Sequence, residues 1–202
     1  MNKIWIINQF AHTPDLAGHT RQYEIAEYLA KHNWEVDVFA SDFIASERRF
    51  KKLKNFQIFS KRKIFENFTW NWLKVSPYTK NNWKRKLNMF SFCIHVFFHL
   101  LFLGFINILR GNKNIIILGS SPQLPAAYIS FLIAKFFKKD FVLEVRDLWP
   151  QILIEQGGYS KNNITYKILS WMEKELYLGA SSIVILSKGL KDIIYKKGGK
   201  KV

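Results

Sequence analysis

Short apolar runs recur along the chain, and most are followed by a segment with helical spacing. Residues 3–8, 35–40, 114–119, 141–146 and 181–186 read as strands, with a weaker candidate at 56–59. Residues 20–32, 125–137, 163–178 and 188–197 read as helices. Uninterrupted apolar strands have no face left for water, so they belong in a parallel sheet covered by helices on both sides. The expected fold is a doubly wound α/β domain. The 202-residue length fits one such domain. Hydrophobic residues make up 49% of the chain, enough to exclude a disordered polymer. A single cysteine, Cys93, excludes an internal disulfide framework and a cysteine-based zinc site. The N-terminal apolar run is too short for a secretory signal, which points to the cytoplasm.

Charge narrows the partners. The formal net charge is +16, and residues 46–86 hold 13 Lys or Arg against Glu47 and Glu66. The same segment carries Trp70, Trp72, Tyr78 and Trp83, the last followed by Lys84, Arg85 and Lys86. Cations mixed with amphipathic rings suit a lipid headgroup layer and also suit single-stranded nucleic acid. A solvated basic loop region fits the same residues. No RNP or helix-turn-helix pattern supports nucleic acid, so an anionic membrane surface is the expected partner.

Residues 87–109 contain no Asp, Glu, Lys or Arg. At about 1.5 Å per residue, such a helix is long enough for a bilayer core of roughly 30 Å. Asn88, Ser91, His95 and His99 form a polar stripe at intervals of three or four. That stripe suits a helix packed on its domain or lying in an interface better than a lipid-surrounded span. His95 and His99 lack a third ligand and read as structural.

In a doubly wound sheet, ligands bind outside the carboxyl ends of the strands. Three segments fall there. The loop at residues 9–20 holds Gly18, His19 and Arg21 at the start of a helix, whose free amides suit a phosphate; a plain surface turn fits the same residues. No Gly-x-Gly-x-x-Gly or Gly-Lys-Ser/Thr occurs, which disfavours dinucleotide and P-loop binding. The second segment, with Ser120, Ser121 and Pro122, reads as a strand-to-helix turn. The third is Glu144-Val145-Arg146-Asp147-Leu148-Trp149-Pro150, where charges interrupt the end of an apolar strand. Such charges are costly unless paired or functional.

This last run resembles the Glu-Val-x-Asp-Leu-Trp-Pro signature of the N-terminal half of retaining, nucleotide-sugar-dependent glycosyltransferases. These are the bacterial group 4 enzymes with the GT-B fold, in the branch that builds O-antigen and capsule sugars. Similar pieces occur in order along the chain: Gly18-His19-Thr20-Arg21-Gln22-Tyr23, Leu29, Trp34-Glu35-Val36, Pro77-Tyr78, Asn82, Lys86-Leu87-Asn88-Met89, Ser120-Ser121-Pro122, Gly179-Ala180 and Ile185-Leu186-Ser187-Lys188-Gly189.

The resemblance implies a Rossmann-like acceptor-side domain over 1–202, the N-terminal half of a GT-B fold, facing a nucleotide-sugar and a lipid-linked sugar acceptor. Gly18, His19 and Arg21 would approach donor phosphate or sugar. Asp147 with Arg146 would stand at the acceptor hydroxyl as the catalytic pair. Ser120, Ser121, Glu144 and Trp149 would line the crevice. Many relatives place a His at the end of this strand, where Arg146-Asp147 stands instead. Residues 46–109, through Trp70, Trp72, Trp83 and Lys84 to Lys86, would hold the domain peripherally on the inner face of the cell membrane. No cofactor or obligatory metal is implied. The family's donor domain, with its Glu-x7-Glu pattern, would follow Lys200-Lys201-Val202, and without it, or a separate chain that carries it, the polypeptide is expected to be inactive. The alternative is a non-catalytic membrane-surface module or the remnant of a truncated transferase.

Overall fold

A computed structural model describes every residue except 1, 17, 51, 55, 81, 112–113, 122, 156–157, 159 and 200–201. Pro122, Lys200 and Lys201 therefore lie outside the described residues. In chain order the elements are β1 (Lys3–Ile7), α1 (Arg21–Lys31), β2 (Glu35–Ser41), β3 (Phe43–Ile44), β4 (Arg49–Phe50), β5 (Phe59–Phe65), β6 (Phe68–Leu73), α2 (Trp83–Leu109), β7 (Ile115–Ser120), α3 (Leu124–Phe136), β8 (Asp140–Val145), α4 (Gln151–Glu155), α5 (Ile164–Gly179), β9 (Ser182–Ile185) and α6 (Leu190–Lys196).

Seven strands form one sheet in the order β5-β6-β2-β1-β7-β8-β9. All pairings are parallel except β5 with β6. Numbering only the parallel strands along the chain gives 3-2-1-4-5-6, the order of a Rossmann-like sheet. The doubly wound expectation therefore holds. Alternate residues of β1 feed two cores: Ile4 and Ile6 pack under α1, while Trp5 and Ile7 pack under α2 and α3.

The hairpin β5–β6 departs from the expectation of a short strand at 56–59. β6 pairs with β2 inside the sheet, and β5 takes the edge. Phe68, Trp70 and Trp72 all point under α1, where Trp70 stands 6.0 Å from the Tyr23 ring and 5.4 Å from Trp72. Trp70 is 0% exposed and Trp72 2%. These two rings are core residues, a correction to their expected membrane-facing role; burying large aromatic area outweighed the pull of neighbouring cations. The edge strand β5 exposes Lys61, Arg62 and Lys63, charges that discourage pairing with another sheet.

α2 begins at Trp83, with the Asn82 side chain accepting from the Lys84 amide. Its inner face, Phe92, Cys93, Val96 and Leu100, joins the core beneath α3. The polar stripe turns inward rather than to solvent. Asn88 is 1% exposed, accepts from Gln9 Nε2 at 2.6 Å and donates to the Ser76 carbonyl at 2.6 Å. Ser91 Oγ accepts from the Ser76 amide at 2.9 Å. The stripe thus satisfies loop backbone that would otherwise be buried unpaired.

Two predictions follow from this packing. A Cβ on Gly104 would stand 2.2 Å from Cε2 of Phe137. Gly104→Ala should therefore push α2 off α3 and cost about 1–3 kcal/mol, read as a lower urea midpoint. Burial pushes the Cys93 thiol up to about 12. Since the thiolate is the nucleophile, iodoacetamide should leave native Cys93 unmodified at neutral pH and label it on unfolding.

Candidate functional site

The strand order reverses between β1 and β7, and the loops leaving their carboxyl ends part there. A crevice of about 310 Å³ opens at this end of the sheet, lined by Phe10, His12, Gly18, His19, Ala45, Ser46, Tyr78, Arg85, Met89 and Trp149. Four stretches of chain meet in it: the β1–α1 loop, the turn after β3, the start of α2 with the loop before it, and the β8–α4 connection.

The β1–α1 loop is held by its own polar groups. Asn8 Oδ1 accepts from the Phe10 amide at 2.9 Å, and the His12 amide donates to the His19 carbonyl at 2.9 Å. Gly18 has φ +141°, and a Cβ there would meet the His12 ring at 3.3 Å. Glycine therefore serves both the turn and the close approach. The N-cap of α1, Thr20, makes no side-chain cap bond and instead donates to Glu24 at 2.7 Å. The first amides of α1 therefore receive no cap from Thr20, and they face the crevice end of the sheet.

Asp15 ties this loop to the β4 region. Thr13 Oγ1 donates to it at 2.5 Å and Lys52 Nζ at 2.8 Å. The Lys52 ammonium, then Thr13, hold its carboxyl well below the usual carboxylate range. The unfolded chain therefore takes up this proton first as pH falls. The brace is fully present above about pH 4, and its contribution is lost progressively below that. The Asp15 side chain is 45% exposed, so water screens the pair and its worth is at most about 1 kcal/mol. Asp15→Asn should lower the melting temperature slightly at neutral pH, and the gap to wild type should close in strong acid.

Beneath the crevice lies a buried polar hub. Glu144, 1% exposed at the end of β8, accepts from Arg21 Nε at 2.7 Å, Gln22 Nε2 at 2.8 Å and Ser120 Oγ at 2.5 Å. Asn8 Nδ2 donates to Ser120 Oγ at 3.1 Å across the switch point. Ser121, 2% exposed, accepts from the Arg146 amide at 3.0 Å. Glu144, Ser120 and Ser121 were expected to line the crevice; they are buried braces below it, each spent on a partner from another element. Arg21 sits at the rim with its Nε committed to Glu144.

Arg146 continues from β8 into the crevice, where its Nη2 lies 3.4 Å from Nδ1 of His19. Its Nη1 is buried and has no hydrogen-bond partner. Asp147 is exposed, and its carbonyl accepts from the Trp149 amide at 3.0 Å. Trp149 lines the crevice, with a buried Nε1 that has no hydrogen-bond partner. Of the expected site residues, Gly18, His19 and Trp149 line the opening, Arg146 meets it through His19, and Asp147 is exposed two residues before Trp149. Trp83, Lys84, Arg85 and Lys86 are exposed at the start of α2, and Arg85 is also a crevice residue. Phe10, Ala45, Ser46 and Met89 were not anticipated; the position of the loop after β1 was the one available signal, and it pointed only to Phe10. No known family model and no curated protein sequence matches this chain.

Proposed function

We propose that this domain is the acceptor side of a retaining glycosyltransferase, moving a sugar from a nucleotide-sugar to a lipid-linked acceptor in surface polysaccharide synthesis. One observation carries the reading. The Gly18 loop and the segment from Arg146 to Trp149, each of which resembles part of the family's pattern, meet at a single crevice, with Gly18, His19 and Trp149 in its lining and His19 and Arg146 3.4 Å apart. The uncapped amides of α1 suit a diphosphate. Arg146 offers an unpaired buried N–H to the same anion or to a sugar hydroxyl. Asp147, exposed two residues before the crevice-lining Trp149, receives the acceptor hydroxyl. In the transfer, the bond from the anomeric carbon to the diphosphate oxygen breaks. A new bond to the acceptor oxygen forms on the same face, the hydroxyl proton passes to the Asp147 carboxylate, and the nucleoside diphosphate departs with the bonding electron pair. Both reactants must be held for this, so a donor-binding domain supplies the opposite wall.

Backbone amide NMR tests the site directly. Titration with lipid-linked sugar extracted from cells that make the protein should shift Gly18, His19, Arg146, Asp147 and Trp149. Shifts confined to the opposite end of the sheet, around Asn2, Trp34 and Asn114, would place the acceptor elsewhere and refute the assignment.

A further inference from the structure

The outward face of α2 is more apolar than its inward face is polar. Leu87, Phe90, Ile94, Phe98, Phe102 and Phe105 follow one another at intervals of three or four and are all exposed, Phe102 by 65%. The stripe does not stop at the helix edge. Phe105 touches the ring of Phe136 on α3 at 6.3 Å, and Tyr128 of α3 stands 5.2 Å from Trp171 of α5, which is 52% exposed. Three neighbouring helices thus present one apolar surface, the kind of patch that marks an interaction site.

We propose that this face docks on an anionic lipid bilayer, with α2 lying along the headgroup–acyl boundary rather than crossing the membrane. Charge selects this occupant. The first turn of α2 carries Lys84, Arg85 and Lys86 and no acidic residue. Three cations at the positive end of a helix dipole are unfavourable by themselves and become favourable beside anionic lipid. Neither α2 nor α3 contains an Asp or Glu; α5 adds Glu173, buried against Lys197, and half-buried Glu175 beside Tyr128. A second copy on the same face would bring another chain of formal charge +16 against this one. Trp83 and Trp171, at two edges of the surface, suit the headgroup level. The in-plane placement comes from packing: Phe92, Val96 and Leu100 are buried in the domain and Gly104 lies against Phe137. A lipid-surrounded span would have to strip that face off the core. Because Arg85 and Met89 belong to α2 and also line the crevice, docking sets the crevice mouth at the bilayer surface. The inference stands on the helical face alone and does not need the sugar-transfer reading.

Vesicle flotation of the 202-residue chain tests it. The protein should float with equimolar phosphatidylcholine–phosphatidylglycerol vesicles and bind pure phosphatidylcholine roughly tenfold or more weakly. Phe90→Ser, Phe98→Ser and Phe102→Ser together should weaken binding by about tenfold or more and leave the circular-dichroism melt in place, because all three rings are already in water. A Lys84→Glu, Lys86→Glu variant, altering only exposed side chains, should lose the preference for phosphatidylglycerol. High-pH carbonate should strip the bound protein from the vesicles. The proposal is overturned if wild type stays in the aqueous layer, or if the triple-Ser chain floats as wild type does. Resistance to carbonate would assign a span instead. A vesicle-independent dimer in sedimentation equilibrium, abolished by the same three substitutions, would give the face to a second copy.

Discussion

Replacing Glu144 by alanine should lower the stability of the domain by about 3 kcal/mol or more, the largest effect expected of any single polar substitution here. The carboxylate receives three donors from two elements: Arg21 and Gln22 at the start of α1, and Ser120 at the end of β7. Gln22 is 0% exposed, so its amide finds no water when its acceptor is removed, whereas the buried Ser120 hydroxyl can turn to the Ser121 carbonyl at 3.1 Å. Each stranded donor costs about 1–3 kcal/mol. Arg21, whose side chain is 41% exposed, swings into solvent at little cost, which keeps the total at the lower end of the range for a broken buried pair. For a domain of this size the loss corresponds to a fall in melting temperature of roughly 6–12 °C. Glu144→Gln keeps the shape and one acceptor oxygen, which can still take Gln22 and Ser120 while half-exposed Arg21 turns away, and should cost less. Equal, small losses for both variants would show that the hub does not hold α1 to the sheet.

The second large effect is on chemistry. Asp147→Asn should reduce sugar transfer by about a hundredfold or more if its carboxylate serves the acceptor hydroxyl in the transition state. Asp147 is exposed, so the melting temperature should not move. The loss should fall on kcat and kcat/KM alike, the pattern of an interaction made in the transition state rather than in substrate binding. Arg146→Ala should behave differently. Its amide still bonds Ser121, but the guanidinium beside His19 is gone, so KM for the anionic substrate should rise along with the fall in rate. An Asp147→Asn chain with wild-type kinetics would remove this residue from the catalytic pair.

Much of the sheet was legible because β1, β2, β7, β8 and β9 are short apolar runs, and burial on both faces leaves no room for polar alternation. β6 was not. Its Thr69 and Asn71 interrupt the run, yet Asn71 is buried with Nδ2 donating to the Val38 carbonyl at 3.1 Å. A polar side chain satisfied by a neighbouring strand leaves no trace in the local pattern. The same blindness reversed the reading of Trp70 and Trp72, whose charged neighbours belong to an edge strand while the rings themselves turn inward. α2 was legible as a long apolar helix, but which side faced the domain depended on Asn88 and Ser91 meeting loop backbone at Ser76. Charges at the end of β8 marked the strand end that carries buried Glu144 and, just past it, exposed Asp147. The division of labour between buried Glu144 and exposed Asp147 depended on Arg21 and Gln22, more than a hundred residues away in the chain.

The most direct test of the central claim is transfer of radiolabelled sugar from a panel of nucleotide-sugars to lipid-linked acceptor in membranes of cells that make the protein. It would compare the 202-residue chain alone, the chain with a group 4 donor domain joined after it, and the joined Asp147→Asn variant. The account predicts no transfer by the chain alone, transfer by the joined protein, and about a hundredfold loss on Asp147→Asn. Transfer by the joined protein that is indifferent to Asp147 and Arg146, or sugar transfer by the 202-residue chain without any donor domain, would contradict it.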